Sequence, residues 1–210
     1  MTDTISDEAG LRALYPQPSD GARMKQLAFL DRHCQRFIEL SPFLCIGTLG
    51  ADGGADVSPR GGAPGFVHVL GANRLALPDR PGNNRLDTLG NLAEGHLPGR
   101  AAVGLLFFIP GFEEMLRVNG RATTVTTPDL MARFAEDGRL PRSVLLIEVE
   151  EAFLHCTKAL KRAALWDPSR HTPRDALPSF GQMLKDQLNT PVPAEAIDHM
   201  LEADARENLY

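Results

Sequence analysis

One segment of this 210-residue chain, residues 77–89 with the sequence LPDRPGNNRLDTL, combines the features of an anion-binding loop. Its Pro-Gly pair is typical of a type II turn, because glycine tolerates the positive φ that this turn requires. Its two asparagines stand where helix N-caps stand, and leucines follow at helical spacing. A helix N-terminus flanked by two arginines would offer N–H donors and guanidinium forks to a phosphate. The residues concerned are Arg80, Pro81, Gly82, Asn83, Asn84 and Arg85. A plain surface turn with solvated arginines fits the same residues, so both interpretations stay open.

A second group of candidate binding residues begins at His155-Cys156. Lys158, Arg162 and Trp166 follow at intervals of four, so they share one face if the segment is helical. A cationic face that ends in an indole suits a flat, anionic aromatic ligand. A solvated basic helix whose tryptophan packs on a sheet has the same pattern.

Arg117 is the third candidate, because it lies on a strand from Met115 to Val125 in which apolar or small residues alternate with polar ones. On a half-buried strand its neighbours are apolar or small. An arginine that points inward from such a strand requires a bound anion or a carboxylate partner.

Other kinds of site have little support in the sequence. The two His-Cys pairs place adjacent side chains on different faces, and no complete tetrahedral set has ligand spacing, so we expect no metal. No G-x-S-x-G elbow is present for a nucleophilic serine. No residue stands out as a general acid or base, and His68 and His155 are the first to test.

Composition limits the partners. The formal net charge of −5 argues against a general affinity for nucleic acid or anionic membranes. The longest apolar run, Ala101 to Pro110, is too short to cross a bilayer. The acidic N-terminus lacks the apolar core of a secretory signal, and three cysteines without CxxC spacing suit a reducing compartment. We therefore expect a soluble, cytoplasmic protein without a nucleic-acid or membrane partner.

The elements that would position these residues are mainly short strands between Gly-rich turns. The segments with strand patterns are 43–49, 55–60, 66–70, 74–77, 100–109, 115–125 and 143–153. A helix is expected from Ser19 or Asp20 to Ser41-Pro42, a short one after Thr127, and two more over 178–188 and 193–206. Close spacing of short strands indicates an antiparallel barrel or sandwich rather than a βαβ fold.

Four motifs occur in an order that matches a known family. They are VSPRG at 57–61, LPDRPGNNR at 77–85, LRVNGRA at 116–122 and HCxKAxxRxxxW at 155–166. Together they resemble the pyridoxamine 5′-phosphate oxidase-related family of FMN-binding split-barrel proteins, over about Phe43 to Trp166. The resemblance implies a mainly β (α+β) fold, a six-stranded antiparallel Greek-key split barrel with N-terminal, flanking and C-terminal helices. It also implies a homodimer with two FMN sites at the subunit interface.

The domain organisation expected on this basis has three parts. Residues 1–18 form a polar N-terminal arm, and 19–168 form the split-barrel domain with its leading helix. Residues 169–210 form a C-terminal helical extension packed on the same domain.

The resemblance assigns roles to individual residues. The residues implied to hold the FMN phosphate and ribityl chain are Arg60, Asn83, Asn84 and Arg85. Pro78 and Asp79 would lie along the isoalloxazine edge through backbone contacts, and Arg117 would stand near the flavin. The residues implied to approach from the partner subunit are Lys158, Arg162 and Trp166.

The function implied is that of an FMN-dependent oxidoreductase, which moves hydride between flavin N5 and a small organic substrate or a nicotinamide donor. The region Lys161 to Pro168 lacks the Arg-Leu and Glu-Phe-Trp type segment of true pyridoxamine phosphate oxidases, so oxidation of vitamin B6 is not expected. Three alternatives stay open: a flavin-binding barrel without turnover, a haem-binding variant and a plain interaction barrel. A deazaflavin in place of FMN is a further option.

Overall fold

The computed structural model describes residues 4–94 and 101–209. Within these ranges the strands are β1 (Gln26–Leu27), β2 (Phe43–Leu49), β3 (Ala55–Gly61), β4 (His68–Gly71), β5 (Arg74–Asp79), β6 (Ala101–Phe108), β7 (Met115–Val125) and β8 (Ser143–His155). The helices are α1 (Glu8–Leu14), α2 (Asp20–Met24), α3 (Arg32–Leu40), α4 (Asp87–Glu94), α5 (Pro128–Ala132), α6 (Lys158–Ala163), α7 (Phe180–Leu188) and α8 (Ala194–Glu207). Short 3-10 turns cover Pro168–Arg170 and Arg174–Ala176.

All the described strands belong to one antiparallel sheet, in the order β3-β2-β6-β7-β8-β5-β4, with β1 attached to β8. The mainly antiparallel split-barrel fold with flanking helices is therefore confirmed. The number of strands differs from the expected six, because eight are present. The long strand β8 explains one of them: its first half pairs with β5, and Gln26-Leu27 pairs with the same edge further along, at Ala152-Phe153.

One face of the sheet forms the core. Residues directly paired between antiparallel strands share a face, and Leu44, Phe107 and Leu116 are such a set, all fully buried. The opposite face of the same strands is partly exposed and carries an apolar patch beside charged and amide residues. Its residues include Phe43, Cys45, Val57, Leu106, Phe108, Arg117 and Phe153, and we call them the outer face.

The single helix predicted from Ser19 or Asp20 to Ser41 is wrong, because α2 and α3 are separated by β1. Between the helices the chain pairs with β8, and the Leu30 N–H donates to the carbonyl of Ala72 at 2.7 Å. Asp31 then starts α3 by accepting hydrogen bonds from the backbone N–H groups of His33 and Cys34 at 3.0 and 2.8 Å. Long-range pairing and a strong N-cap thus override the continuous helical spacing of apolar residues.

The two C-terminal helices are confirmed, and they pack against each other. The Gly181 N–H donates to Asp198 Oδ1 at 2.7 Å, and a Cβ at Gly181 would lie 2.3 Å from the carbonyl oxygen of Ala194. The helices therefore cross where only glycine fits. The predicted N-terminal arm contains α1. Among the residues that the structure describes, no helix is long and apolar enough to cross a membrane.

Candidate functional site

A cavity of about 340 Å³ lies where the ends of β3 and β5 meet the loop that follows β5. Its volume is at the lower end of the range of about 300–1,000 Å³ for small-molecule sites. The lining residues are Pro59, Arg60, Gly61, Phe66, Pro78, Asp79, Arg80, Pro81, Gly82, Asn83, Asn84, Leu86, Arg142 and Leu209. Five of the residues predicted from the sequence are thus brought together, namely Arg60, Pro78, Asp79, Asn83 and Asn84.

The loop after β5 does not have the predicted conformation. Gly82 is not among the described glycines with positive φ, so the type II turn is wrong, and Asn84 and Leu86 adopt φ of 57° and 62° instead. The predicted N-caps are also wrong, because α4 begins only at Asp87. Asn83 Oδ1 accepts a hydrogen bond from the backbone N–H of Arg85 at 3.1 Å. Short polar side chains make such local bonds in competition with a helix, which explains the later start.

Two guanidinium groups face one carboxylate in this cavity. Burial raises the pKa of Asp79, and the positive charges of Arg60 and Arg142 oppose that rise. Arg60 donates from Nη1 to the carbonyl of Pro59 at 2.8 Å. Neither arginine forms a salt bridge with a carboxylate in residues 4–94 or 101–209. The cavity therefore has more positive charge than Asp79 balances.

Arg142 is a cavity residue that the sequence did not predict. It precedes β8, whose first residue, Ser143, pairs with Asp79 at the end of β5. The only signal in the sequence is an arginine at the start of a strand. Which strand end it faces depends on the β5–β8 register, and that cannot be determined from the residues alone.

Backbone donors add to this positive side of the cavity. Within the described ranges, the N–H groups of Gly82, Asn83 and Asn84 donate to no protein acceptor. Exposed N–H groups beside guanidinium groups form a concave set of donors for an anion. The donor set fits a phosphate group, which arginine forks and backbone N–H groups bind.

The family of the chain follows from its sequence. The model of the pyridoxamine 5′-phosphate oxidase family matches residues 30–156, which is more than half of the 210 residues. The chain belongs to this family. All the cavity residues except Leu209 lie within the matched part.

Solved structures to which the chain is similar include the following three. One is HupZ of Group A Streptococcus, at 15% identity and a TM-score of 0.48, covering 60% of this chain and 99% of that one. A second is a putative pyridoxamine 5′-phosphate oxidase of Lactobacillus delbrueckii, at 20% identity and a TM-score of 0.47; the match covers 62% of this chain and 99% of that one. A third is an FAD-binding protein of Mycobacterium smegmatis, at 14% identity and a TM-score of 0.40; the match covers 61% of this chain and 98% of that one. No curated protein sequence matches the chain.

Arg85 does not line the cavity of this family member. Its exposed guanidinium donates to the carboxylate of Asp87, with Nε to Oδ2 at 2.8 Å. This contact raises the pKa of Arg85. Its predicted role at the phosphate is not tested by this arrangement and stays a prediction.

A smaller cleft of about 140 Å³ adjoins the cavity and shares Phe66 and Arg80 with it. Arg80 donates from Nη2 to the carbonyl of Phe134 at 2.9 Å and lies 3.1 Å from a carboxylate oxygen of Glu136. His68 stacks on the ring of Phe134, with centroids 4.0 Å apart. Burial lowers the pKa of His68, and the nearby Arg133 lowers it further, so both effects favour the neutral imidazole.

Arg117 lies on the outer face and does not line the cavity. It pairs with Glu151, which also accepts a hydrogen bond from Asn119 Nδ2 at 3.2 Å. Its guanidinium lies 5.1 Å from the ring centroid of Phe153. From the sequence, either a bound anion or a carboxylate partner is expected for Arg117, and Glu151 is such a carboxylate partner. His155 belongs to the same cluster, and burial, with Arg117 and Lys25, lowers its pKa.

Lys158 and Arg162 lie on α6 as predicted and are exposed, but Trp166 does not continue that helix face. Helix α6 ends at Ala163, and Ala164 adopts a left-handed conformation with φ of 46°. The indole Nε1 of Trp166 donates to the carbonyl of Phe112 at 2.7 Å. The prediction that Trp166 shares a helix face with Lys158 and Arg162 is therefore wrong. An approach of these residues to a partner subunit's flavin stays a prediction.

Proposed function

We propose that this family member is a flavoprotein that binds FMN in the cavity between β3 and β5 and acts as an oxidoreductase. One observation carries the proposal: Arg60 and Arg142 face the same cavity as Asn83 and Asn84, without a salt-bridge partner among the described residues. A phosphate monoester carries a charge of about −1.5 to −2 at pH 7, and two guanidinium groups neutralise it.

The residues of the cavity would divide the work as follows. Arg60, Arg142 and the N–H groups of residues 82–84 hold the phosphate, and the asparagine amides bind the ribityl hydroxyls. Pro78 and Asp79 contact the ring edge, and the charges of Arg60 and Arg142 favour the ionised form of the Asp79 carboxylate. The flavin, when bound, supplies the hydride-transfer chemistry. The protein contributes binding, orientation and positive charge.

The second substrate of the oxidoreductase is proposed only by class, as a small organic molecule or a nicotinamide. The cleft beside the cavity gives such a molecule an approach past Phe66 and Arg80. The three described cysteines are free, which suits a reducing compartment, so we propose the cytoplasm as the place of action.

We propose in addition that the protein is a homodimer joined through the outer face. Val57 in β3 is 69% exposed and shares this face with Phe43 and the partly exposed Leu106. A contiguous apolar sheet face is typical of a surface that another protein covers. Arg117 lies on the same face, so a second copy docked there would meet it.

Light scattering coupled to gel filtration tests the homodimer. Val57→Asp would introduce a charge on the β3 side of the proposed contact and is expected to yield a monomer. Leu188→Asp is the matched control, because Leu188 is 68% exposed on α7 and lies outside the outer face. A monomeric wild-type protein, or a Val57→Asp protein that still dimerises, would contradict the proposal.

An absorbance spectrum tests the cofactor. The purified protein is expected to show flavin bands that persist through desalting after FMN is added, and to bleach with NADH or NADPH. Bands without reduction or turnover by any donor would favour the flavin-binding barrel without activity. A protein that retains no FMN would refute the proposal, and a Soret band after haem addition would replace it.

A further inference from the structure

The C-terminal extension contributes a residue to the cavity. Leu209 lines it, although it follows α8 and lies outside the family-matched residues 30–156. Its side chain is 63% exposed, so it stands at the rim. An exposed leucine beside a ligand cavity is an apolar surface that a bound ligand would cover.

Two hydrogen bonds close the end of α8 immediately before Leu209. The backbone N–H of Asn208 donates to the carbonyl of Asp204 at 2.9 Å, and its Nδ2 donates to Asp204 Oδ1 at 2.8 Å. This double contact holds Asn208, the residue before Leu209, against the last turn of α8. Helix α8 is in turn held against α7 by the close crossing at Gly181.

The rest of the cavity combines charged and amide side chains with apolar ones, and Leu209 adds to the apolar part. Two arginines and two asparagines occupy the part that suits a phosphate. Phe66, Leu86 and Leu209 supply the large apolar side chains among the lining residues. This lining suits a ligand that combines an anionic group with a flat apolar ring.

We propose that Leu209 is a binding residue that covers the ring portion of the ligand, so that the C-terminal extension helps to hold and shield it. The proposal rests on the proposed function, since it assumes that a flavin occupies the cavity. Covering the ring slows its release and limits access of water and of small solutes. Because the contact is with the ring and not the phosphate, it acts on FMN and riboflavin alike.

The test compares Leu209→Ser with Met200→Ser in the full chain loaded with FMN. Met200 is 68% exposed on α8 and does not line the cavity, so it controls for the loss of an exposed apolar side chain from the same C-terminal extension. The readouts are the dissociation rate of FMN and the quenching of bound-flavin fluorescence by iodide. Leu209→Ser is expected to speed dissociation about tenfold, the order expected for partial loss of leucine burial, and to raise iodide quenching. Leu209→Met is expected to restore both values.

The outcomes separate this inference from the function on which it rests. Equal dissociation rates and equal quenching in Leu209→Ser and Met200→Ser proteins that bind FMN would overturn the role of Leu209 and leave the cofactor proposal intact. A wild-type protein that binds neither FMN nor riboflavin would overturn the proposed function, and this inference with it. An effect confined to FMN, with riboflavin unchanged, would also overturn the ring contact.

Discussion

Replacing Arg60 by alanine tests the phosphate site most directly. Arg60 is partly buried at the end of β3, and its guanidinium donates to the carbonyl of Pro59 rather than to a carboxylate. The substitution therefore leaves no acidic partner unpaired. Its expected effect is confined to the ligand phosphate and to the charge balance around Asp79.

The magnitude follows from the groups that remain. A hydrogen bond to a charged group contributes about 1.5–3 kcal/mol. Without Arg60 the carboxylate of Asp79 is opposed by Arg142 alone and repels the phosphate more strongly. We therefore expect the upper part of that range, about 2–3 kcal/mol, which corresponds to a roughly 30- to 150-fold weaker binding of FMN.

Fluorescence titration with FMN and with riboflavin separates the phosphate from the rest of the ligand. Arg60→Ala should weaken FMN and leave riboflavin nearly unchanged, and the difference should shrink at high salt as the charges are screened. Arg74→Ala is the matched control, since Arg74 lies at the other end of β5, paired with Glu148 at 3.9 Å and away from the cavity. An equal loss for both ligands, or no loss for FMN, would refute the assignment.

Three further predictions concern stability. Gly120→Ala would place a Cβ 2.0 Å from the carbonyl oxygen of Glu148, and because this backbone atom cannot rotate away, we expect the free energy of unfolding to fall by at least about 3 kcal/mol and the Tm by roughly 6–12 °C. The control is Gly47→Ala in β2, where the nearest atom is 3.8 Å away and almost no change is expected. Equal Tm values for the two variants would contradict this prediction. Burial lowers the pKa of His68, so the unfolded state takes up its proton first as the pH falls below about 6.5 and stability declines; His68→Phe should flatten that decline in a pH series of Tm values, and an unchanged slope would count against it. Asp31→Ala should lower the free energy of unfolding, measured with urea at pH 7, by about 0.5–2 kcal/mol. Because hydrogen bonds from Cys34 lower the pKa of Asp31, the difference in stability between variant and wild type should vanish as the pH falls below that lowered pKa. A stability difference that persists at such a pH would argue against the N-cap role of Asp31.

Most strands were predictable because their signals are local. Alternation and Gly-rich turns mark β2, β3, β5, β7 and β8, and the turn after β2 forms with Gly53 at φ of 84°. The two C-terminal helices likewise follow from apolar spacing and prolines at their starts. The family resemblance added the topology, which strand patterns alone do not fix.

The errors come from contacts between distant parts of the chain. The break between α2 and α3 depends on pairing of Gln26-Leu27 with β8, more than a hundred residues away. Leu209 enters the cavity through the packing of α8, for which the sequence carries no signal. Trp166 leaves the helix face because Ala164 turns the chain toward Phe112.

The cavity itself was only half predictable. The motif residues 78–84 are contiguous, so their proximity is guaranteed by the chain, and Arg60 was placed there by the resemblance. The loop conformation was not predictable, because Asn83 has two ways to use its side chain, as a helix cap or in a local turn. In the structure Asn83 makes the local turn, and α4 begins four residues later, at Asp87.

Pro59 has a consequence beyond lining the cavity. It lies near the middle of β3, the strand at one end of the described sheet, and so at an edge with unpaired backbone groups. Edge strands invite pairing with other chains, and a proline, which has no N–H to donate, discourages an incoming strand. Pro59 therefore also discourages edge-to-edge aggregation, in which a strand of another chain would cover the entrance of the cavity.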